Sequence, residues 1–250
     1  QRTLRLYVAA AGPLELPEAE LPIDPYVLGA WLGDGNSRDG RVYDADGGVF
    51  ENIRSAGYAV GLQKPRSGGT IYGLRPLLRL AGVLNDKHVP ALYLRASYGQ
   101  RLALLQGLMD TDGHASIGDR GNYCELTFTR EKLACSALEL IRSLGMRVNM
   151  VVDDAKLDGR VIGPRYRMCF TAQDAVFRLK KKADRLRAGT RGRLGKRIVS
   201  VERCADGRTV CISVNAPSGL FLAGRSLVPT HNSTIVAVLL NAMMIGRNPD

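Results

Sequence analysis

The sequence predicts an α+β protein. Two related halves each read as helix, two strands, helix, two strands, helix (αββαββα) with antiparallel sheets, and an all-β segment follows them. Three observations predict this. An apolar stretch ending in Asp-Gly occurs twice, as "YVLGAWLGDG" (26–35) and "QRLALLQGLMDTDGH" (100–114). Behind each lies a second echo, "VFENIRSAGYAV" (49–60) and "ALELIRSLGMRV" (137–148), read as helix, glycine, strand. After about residue 195 the texture changes to short β segments separated by the turn signals DG, PSG and AGR.

Taken in order, residues 12–25, "GPLELPEAELPIDP", carry four prolines and several acids and read as an extended linker. Pro25 suits a first helical turn, and Gly33-Asp34-Gly35 a helix end, so 26–35 is a short buried helix whose end carries Asp34. The strand-like pieces are "GRVYDA" (40–45), "TIYGL" (70–74), "YCELTFT" (123–129) and "PRYRMCFT" (164–171), whose alternation fits half-exposed sheets. The all-β piece runs to Asn232, and "STIVAVLLNAMMIG" (233–246) reads as an apolar helix.

The chain has 250 residues, 45% of them hydrophobic, enough for one large core or two small ones. No apolar run reaches the roughly eighteen residues of a membrane span. Gln1, Arg2 and Arg5 do not form a signal peptide. The five cysteines are odd in number and form no CxxC, which argues against a disulfide framework or a zinc ribbon. A reducing, cytoplasmic location is expected. The formal charge of +11 is partly clustered in "RLKKKADRLRAGTRGRLGKR" (178–197), which points to nucleic-acid phosphates.

The acid pair in "GLMDTDGH" (107–114) carries the chemistry. A calcium loop is excluded, because "DTDGHASIGDRGNYCE" lacks the required order of oxygens, central glycine and final glutamate. Superposing the two Asp-Gly pairs aligns Gly29 with Gly107, Leu32 with Asp110, and Asp34 with Asp112. Gly29, Ala30 and Gly107 let two helices approach backbone to backbone. Asp34 and Asp112 then lie together, and two such carboxylates repel unless a divalent cation sits between them. Oxygen ligands with room for water suit Mg²⁺ or Mn²⁺, and in a basic protein this points to phosphodiester hydrolysis. Asp110 has no equivalent in the first copy and is expected to cap or hydrogen-bond locally. His114 is a minor candidate beside the site.

"LGAWLGDG" and "LLQGLMDTDG" resemble the two motif copies of the LAGLIDADG homing endonucleases. "NDKHVPALYLRASYGQRLALLQGLMDTDG" (85–113) is similar to the family's Lys-x-(Ile/Val)-Pro block and second motif. The resemblance covers roughly residues 24–190, with halves at about 24–98 and 99–190. It implies metal binding by Asp34 and Asp112 with the backbone of Gly33 and Thr111, and catalytic lysines at Lys87 and, within "DAVFRLKKKADRL", at Lys182 in preference to Lys180 or Lys181. It further implies a monomer whose two saddle-shaped, four-stranded antiparallel sheets lie on double-stranded DNA at a long asymmetric site. Arg41, Tyr43, Tyr72, Arg75, Arg120, Arg130, Arg165 and Arg167, in or near strands, are the candidate DNA contacts.

"LVPTHNST" (227–234), preceded by "TVCISVNAPSGLFLAG" (209–224), resembles the last two splicing blocks of inteins, whose fold is the Hint type. In that chemistry Asn232 cyclises onto its own carbonyl, His231 polarises the carbonyl or protonates the leaving amine, and Ser233 accepts the upstream segment. Cys211, in "VCISV", stands where most inteins carry Asp, and with Thr230 resembles inteins that start from an internal cysteine. The usual histidine of the first block is missing, with Leu220 near its place. The expected organisation is a linker at 1–23, an endonuclease at 24–190, a splicing segment at 195–232 and a flanking host fragment at 233–250. The N-terminal splicing blocks are absent, so the chain is expected to be a fragment that does not splice alone. The 233–246 segment is similar to the helix after a phosphate-binding loop. The expected host is therefore a P-loop ATPase, a phage terminase or a replicative helicase, with terminase preferred. Two alternatives stay open: a DNA-binding module of this fold that has lost cleavage, and an intein whose one activity is splicing.

Overall fold

A computed structural model describes residues 6–62, 68–118, 121–172, 174–186, 195–203, 210 and 212–231. Arg120, Cys211, Asn232, Ser233 and the apolar segment 233–246 lie outside the described residues. The chain divides into two compact units. The larger covers 12–193, and the smaller joins the residues up to Ala11 with those from 194 onward.

The elements follow one another as β1 (Tyr7–Ala9), α1 (Pro25–Asp34), β2 (Arg41–Val42), α2 (Gly48–Ser55), β3 (Val60–Leu62), β4 (Gly69–Ile71), α3 (Leu74–Leu80), α4 (Ala91–Leu94) and α5 (Tyr98–Thr111). Then come β5 (His114–Gly118), β6 (Gly121–Phe128), α6 (Glu131–Ser143), β7 (Val148–Leu157), β8 (Arg160–Phe170), α7 (Lys180–Ala183), β9 (Gly195–Arg197), β10 (Leu220–Ala223) and β11 (Val228–His231). The protein is α+β with antiparallel sheets. None of the described helices is long and apolar enough to cross a membrane.

Helix α1 starts where the sequence directs. Asp24 caps it, accepting from Val27 N at 3.1 Å, and Pro25 occupies the first turn. Every residue from Tyr26 to Leu32 is buried, so the helix is apolar all round. Helix α5 opens with a capping box between Ser97 and Gln100. The two helices meet at glycine. A Cβ on Gly29 would lie 2.1 Å from Leu104 O, and one on Gly107 would lie 2.2 Å from Tyr26 O and 2.6 Å from Ala30 N. No side chain other than hydrogen fits at either crossing point.

The second sheet has the order β5-β6-β8-β7, with helix α6 packed against β6, β7 and β8. Helix α6 buries Leu133, Ala134, Ala137, Leu138, Leu140 and Ile141, one apolar face at helical spacing. The first sheet is β2-β4-β3, with α2 contributing Val49, Phe50 and Ile53 to the core. The repeated "IRSxG" marks the same event twice: Gly57 (φ 88°) and Gly145 (φ 77°) end α2 and α6 in the left-handed region before β3 and β7.

Two expectations are corrected. The first sheet has three strands among the described residues, not four. A single bridge, Gly35 to Val42, stands where the fourth would pair. The chain between is engaged elsewhere: Trp31 Nε1 donates to Asp39 O (2.8 Å) and Asn85 N to Ser37 O (2.7 Å). The stretch expected as a strand over 70–74 stops at Ile71, because Gly73 (φ 77°) turns the chain into α3. Tyr72 therefore sits in a turn and Arg75 on a helix.

Segment 12–24 is extended and tied along the larger unit by side chains. Gln100 bonds both the N–H and C=O of Ala19, the Tyr93 hydroxyl both those of Ile23, and the Tyr58 hydroxyl accepts from Asp24 N. Arg101, fully buried, donates to Ala96 O, to the carbonyl and hydroxyl of Ser143, and to Leu14 O. In the smaller unit β1 pairs antiparallel with β9, and β10 with β11.

Gly107→Ala places a methyl against two backbone atoms that cannot move independently. A loss of about 3 kcal/mol is expected, the upper range for overpacking. The urea midpoint of the purified protein measures it, and an unchanged midpoint would show that the helices can separate without cost.

Candidate active site at the ends of the two central helices

The glycine contact brings the C-terminal ends of α1 and α5 side by side. Asp34 is the last residue of α1 and Asp112 the C-cap of α5. A Cβ on Gly33 would touch Thr111 Oγ1 at 2.1 Å and approach Asp112 Oδ2 to 3.3 Å, so the two ends are in contact. Both aspartates are exposed on one side and crowded by protein on the other. Desolvation raises the Asp34 carboxyl above its ordinary value, against the pull of Lys87 and Lys182. Desolvation and then the charge of Asp34 push Asp112 up to about 6. Asp112 thus senses the charge of Asp34.

Lys87 and Lys182 take matching positions. Lys87, 7% exposed, donates from Nζ to Leu32 O (3.0 Å), Gly33 O (2.9 Å) and Gly35 O (2.6 Å). Lys182 donates to Met109 O (2.9 Å), Thr111 O (3.0 Å) and Gly113 O (2.8 Å). In the superposition of the motifs, Gly33 corresponds to Thr111 and Gly35 to Gly113. Each ammonium thus uses its three donors on backbone carbonyls at and just beyond a helix end. Lys87 also lies 5.1 Å from the Trp31 ring centre and Lys182 5.9 Å from that of Phe177. Desolvation lowers both; Lys87 reaches about 8 despite the opposing charges of Asp112 and Asp34. The neighbouring lysines turn elsewhere, Lys180 to Asp184 and Lys181 to Asp46.

The carbonyls of Gly33 and Thr111, expected to face a metal, are therefore shared with an ammonium. Among the described residues no group of three or more His, Cys, Asp or Glu side chains gathers as a metal nest. Asp34 and Asp112 stand as a pair, and His114 begins β5 beside them, exposed. Asp110 points away, buried, accepting from Tyr26 Oη (2.8 Å) and from the backbone N–H of Arg178 and Leu179.

The candidate DNA contacts are dispersed. Tyr43 and Tyr72 are exposed, and Arg130 precedes α6, exposed. Arg41 is paired with Asp39, and Arg165 makes a two-point contact with Asp153 at 2.7 and 2.9 Å. Arg167 Nη2 lies 3.6 Å from Asp153, while its Nε is buried without a hydrogen-bond partner. In the smaller unit Thr230 Oγ1 donates to Val228 O, and His231 pairs with Leu220 across β10 and β11. A Cβ on Gly219 would lie 2.8 Å from His231 Nε2, so the imidazole rests on that glycine.

Two participants were not read from the sequence: Tyr26, which joins α1 to Asp110, and Arg101. The available signal was a polar group in the first turn of each motif helix.

No family model matches the chain. It is 36% identical over 238 residues to a curated replicative DNA helicase DnaB of Mycobacterium intracellulare. The match covers 94% of this chain and 39% of the relative, so the chain spans about two fifths of that protein's length. Among solved structures, a mesophilic variant of the homing endonuclease I-DmoI aligns with a TM-score of 0.42 and 13% identity, over 65% of this chain and 95% of the other.

The raised Asp112 carboxyl has a consequence for stability. A group with a raised folded-state value favours the fold below its unfolded value, near 4, and loses that contribution as pH rises through about 6. In divalent-free buffer at pH 7.5, Asp112→Asn is expected to raise thermal stability by about 1 kcal/mol, limited by solvent at the open side. It is also expected to flatten the pH dependence between those values. A lower melting temperature at pH 7.5 would contradict the repulsion.

Proposed function

We propose that the larger unit is a site-specific, metal-dependent DNA endonuclease of the LAGLIDADG type, carried within an intein whose host is a replicative helicase. The observation that carries this is the meeting of Asp34 and Asp112 at two helix ends, each end closed by its own lysine. The similarity to a DnaB protein moves the reading of the host from a terminase to a helicase.

In this reading the two halves of the larger unit each act on one strand of double-stranded DNA, at a long asymmetric site. The donor set fits Mg²⁺ or Mn²⁺: two carboxylates that repel each other, hard oxygen donors, and an open side where the cation keeps its waters. When bound, the cation supplies an activated water and balances charge at the phosphate. The chain's own residues do the rest. Gly29 and Gly107 set the separation of the carboxylates, and Lys87 and Lys182 hold the carbonyl ends that carry them. Their ammonium groups also keep positive potential beside the scissile phosphates. The arginines and tyrosines of the sheets and their flanking turns hold the duplex backbone and read base edges. Hydrolysis forms one phosphorus–oxygen bond from water and breaks one ester bond, with a proton passing to the leaving oxygen.

The smaller unit, in the same proposal, is the downstream part of a splicing domain. Cys211 starts the reaction, Thr230 and His231 assist, Asn232 cyclises and Ser233 receives the upstream segment. A second reading, a DNA-binding module without cleavage, draws on one observation: both ammonium groups use their three donors on backbone carbonyls.

A plasmid carrying the uninterrupted host gene, incubated with the protein and Mg²⁺, is expected to be linearised. Asp34→Asn or Asp112→Asn is expected to slow cutting by more than about 100-fold while a gel-shift assay shows retained binding. If either variant still cuts both strands at the native rate, the carboxylate assignment is wrong. Binding without cutting by the native protein supports the second reading.

A further inference from the structure

Asp110 is a buried carboxylate that the cleavage chemistry does not use, and it has no counterpart at the aligned position, Leu32. A buried carboxylate is costly unless its oxygens are satisfied. Here Oδ1 accepts from the N–H groups of Arg178 and Leu179, both at 3.1 Å, and Oδ2 from Tyr26 Oη at 2.8 Å. Leu179 is the N-cap position of α7, so Asp110 ties down the two residues that lead into that short helix.

The contact is the last in a row along one face of α5. Tyr98 Oη donates to Asp174 (2.6 Å), Gln106 Nε2 to Ala175 O (2.6 Å), and Arg178 Nε to Gln106 Oε1 (2.8 Å). Positions 98, 106 and 110 are spaced by whole multiples of four residues, which keeps them on one side of the helix. Val176 and Phe177 bury beneath the same segment. Three residues beyond Leu179, Lys182 reaches the end of α5 beside Asp112. From the other side, Asn52 Nδ2 donates to Tyr26 Oη (2.9 Å), and the Arg178 guanidinium stacks 4.3 Å from the Tyr26 ring centre.

The Lys87 site is built differently. At the positions aligned with Gln106 and Asp110, α1 carries buried Leu28 and Leu32. The Lys87 segment is fastened to α6 instead, by Asp86 with Lys132 and by Val89 N donating to Ser136 Oγ.

We propose that Asp110 is a positioning residue for one of the two carboxylate sites: it docks segment 174–182 on α5 and so sets Lys182 at the helix end that bears Asp112, leaving the Lys87 site untouched. Its effect on cleavage rests on the proposed nuclease reading, but its effect on Lys182 does not.

The test is competitive acetylation of the folded protein, read lysine by lysine by mass spectrometry. In Asp110→Ala, labelling of Lys182 is expected to rise about tenfold or more, the effect of one or two lost hydrogen bonds, while that of Lys87 stays at the native level. Asp110→Asn, which keeps an acceptor for both N–H groups, is expected to fall between. Tyr26→Phe removes one bond and serves where the alanine variant does not fold. Equal rises at both lysines, or no rise at Lys182, would overturn the proposal. In strand-resolved cleavage of the plasmid above, Asp110→Asn is expected to slow one strand and accumulate nicked circles. Equal slowing of both strands also overturns it. A native protein that does not cut sinks the nuclease reading, and the labelling still decides the role of Asp110.

Discussion

The contact between the backbones of α1 and α5 is the constraint on which the rest of the site depends. Gly29 faces Leu104 O and Gly107 faces Tyr26 O and Ala30 N with no room for a methyl group. That closeness makes the two helix ends neighbours, puts Asp34 and Asp112 within each other's field, and lets Gly33 lie against Thr111. A separation typical of helices with larger side chains, about 8–10 Å between axes, would part the carboxylates and the carbonyl ends together. The interface is apolar for most of its length, which stabilises the pair enough to hold like charges at its end.

Bringing two helix C-termini together concentrates negative charge before any carboxylate is counted. Each end carries unpaired carbonyls and about half a negative charge. Lys87 and Lys182 answer this directly, each with three donors on three carbonyls. The same desolvation that lowers their proton affinity is opposed by Asp34 and Asp112. The lysines are thus part of the helix ends. Without them the carbonyl groups and the aspartates would face each other across a crowded gap.

The sequence made the carboxylates and the glycine contact legible because both occur twice, at the same offset from a helix end. The lysines needed the family resemblance, since nothing local in "NDKHVP" says that residue 87 will cap a helix that ended more than fifty residues earlier. Their destination on carbonyls depends on how closely two distant segments approach. Alignment with Leu32 separates Asp110 from the shared machinery, but its partners at 178 and 179 are fixed by tertiary packing. The three-stranded first sheet follows from residues 37–39, where Ser37 O accepts from Asn85 N and Asp39 O from Trp31 Nε1 instead of a strand, and the early end of β4 from the left-handed turn at Gly73. Charge alone did not single out Arg165, whose guanidinium is held by Asp153 on the neighbouring strand.

A charge count connects the site to its proposed work. Asp34 and Asp112 together carry −2 when ionised, and Lys87 and Lys182 carry +2, so the four side chains cancel. The two helix ends add about −1 in all. The site is therefore close to neutral and slightly negative, which suits the approach of a cation without binding it so tightly that it resists exchange. On the proposed reading, a divalent cation brings the sum to about +1, and one phosphodiester brings it back to about zero. A site built from the two aspartates without the lysines would start near −3 and hold its cation against that phosphate. On that reading the lysines set the balance.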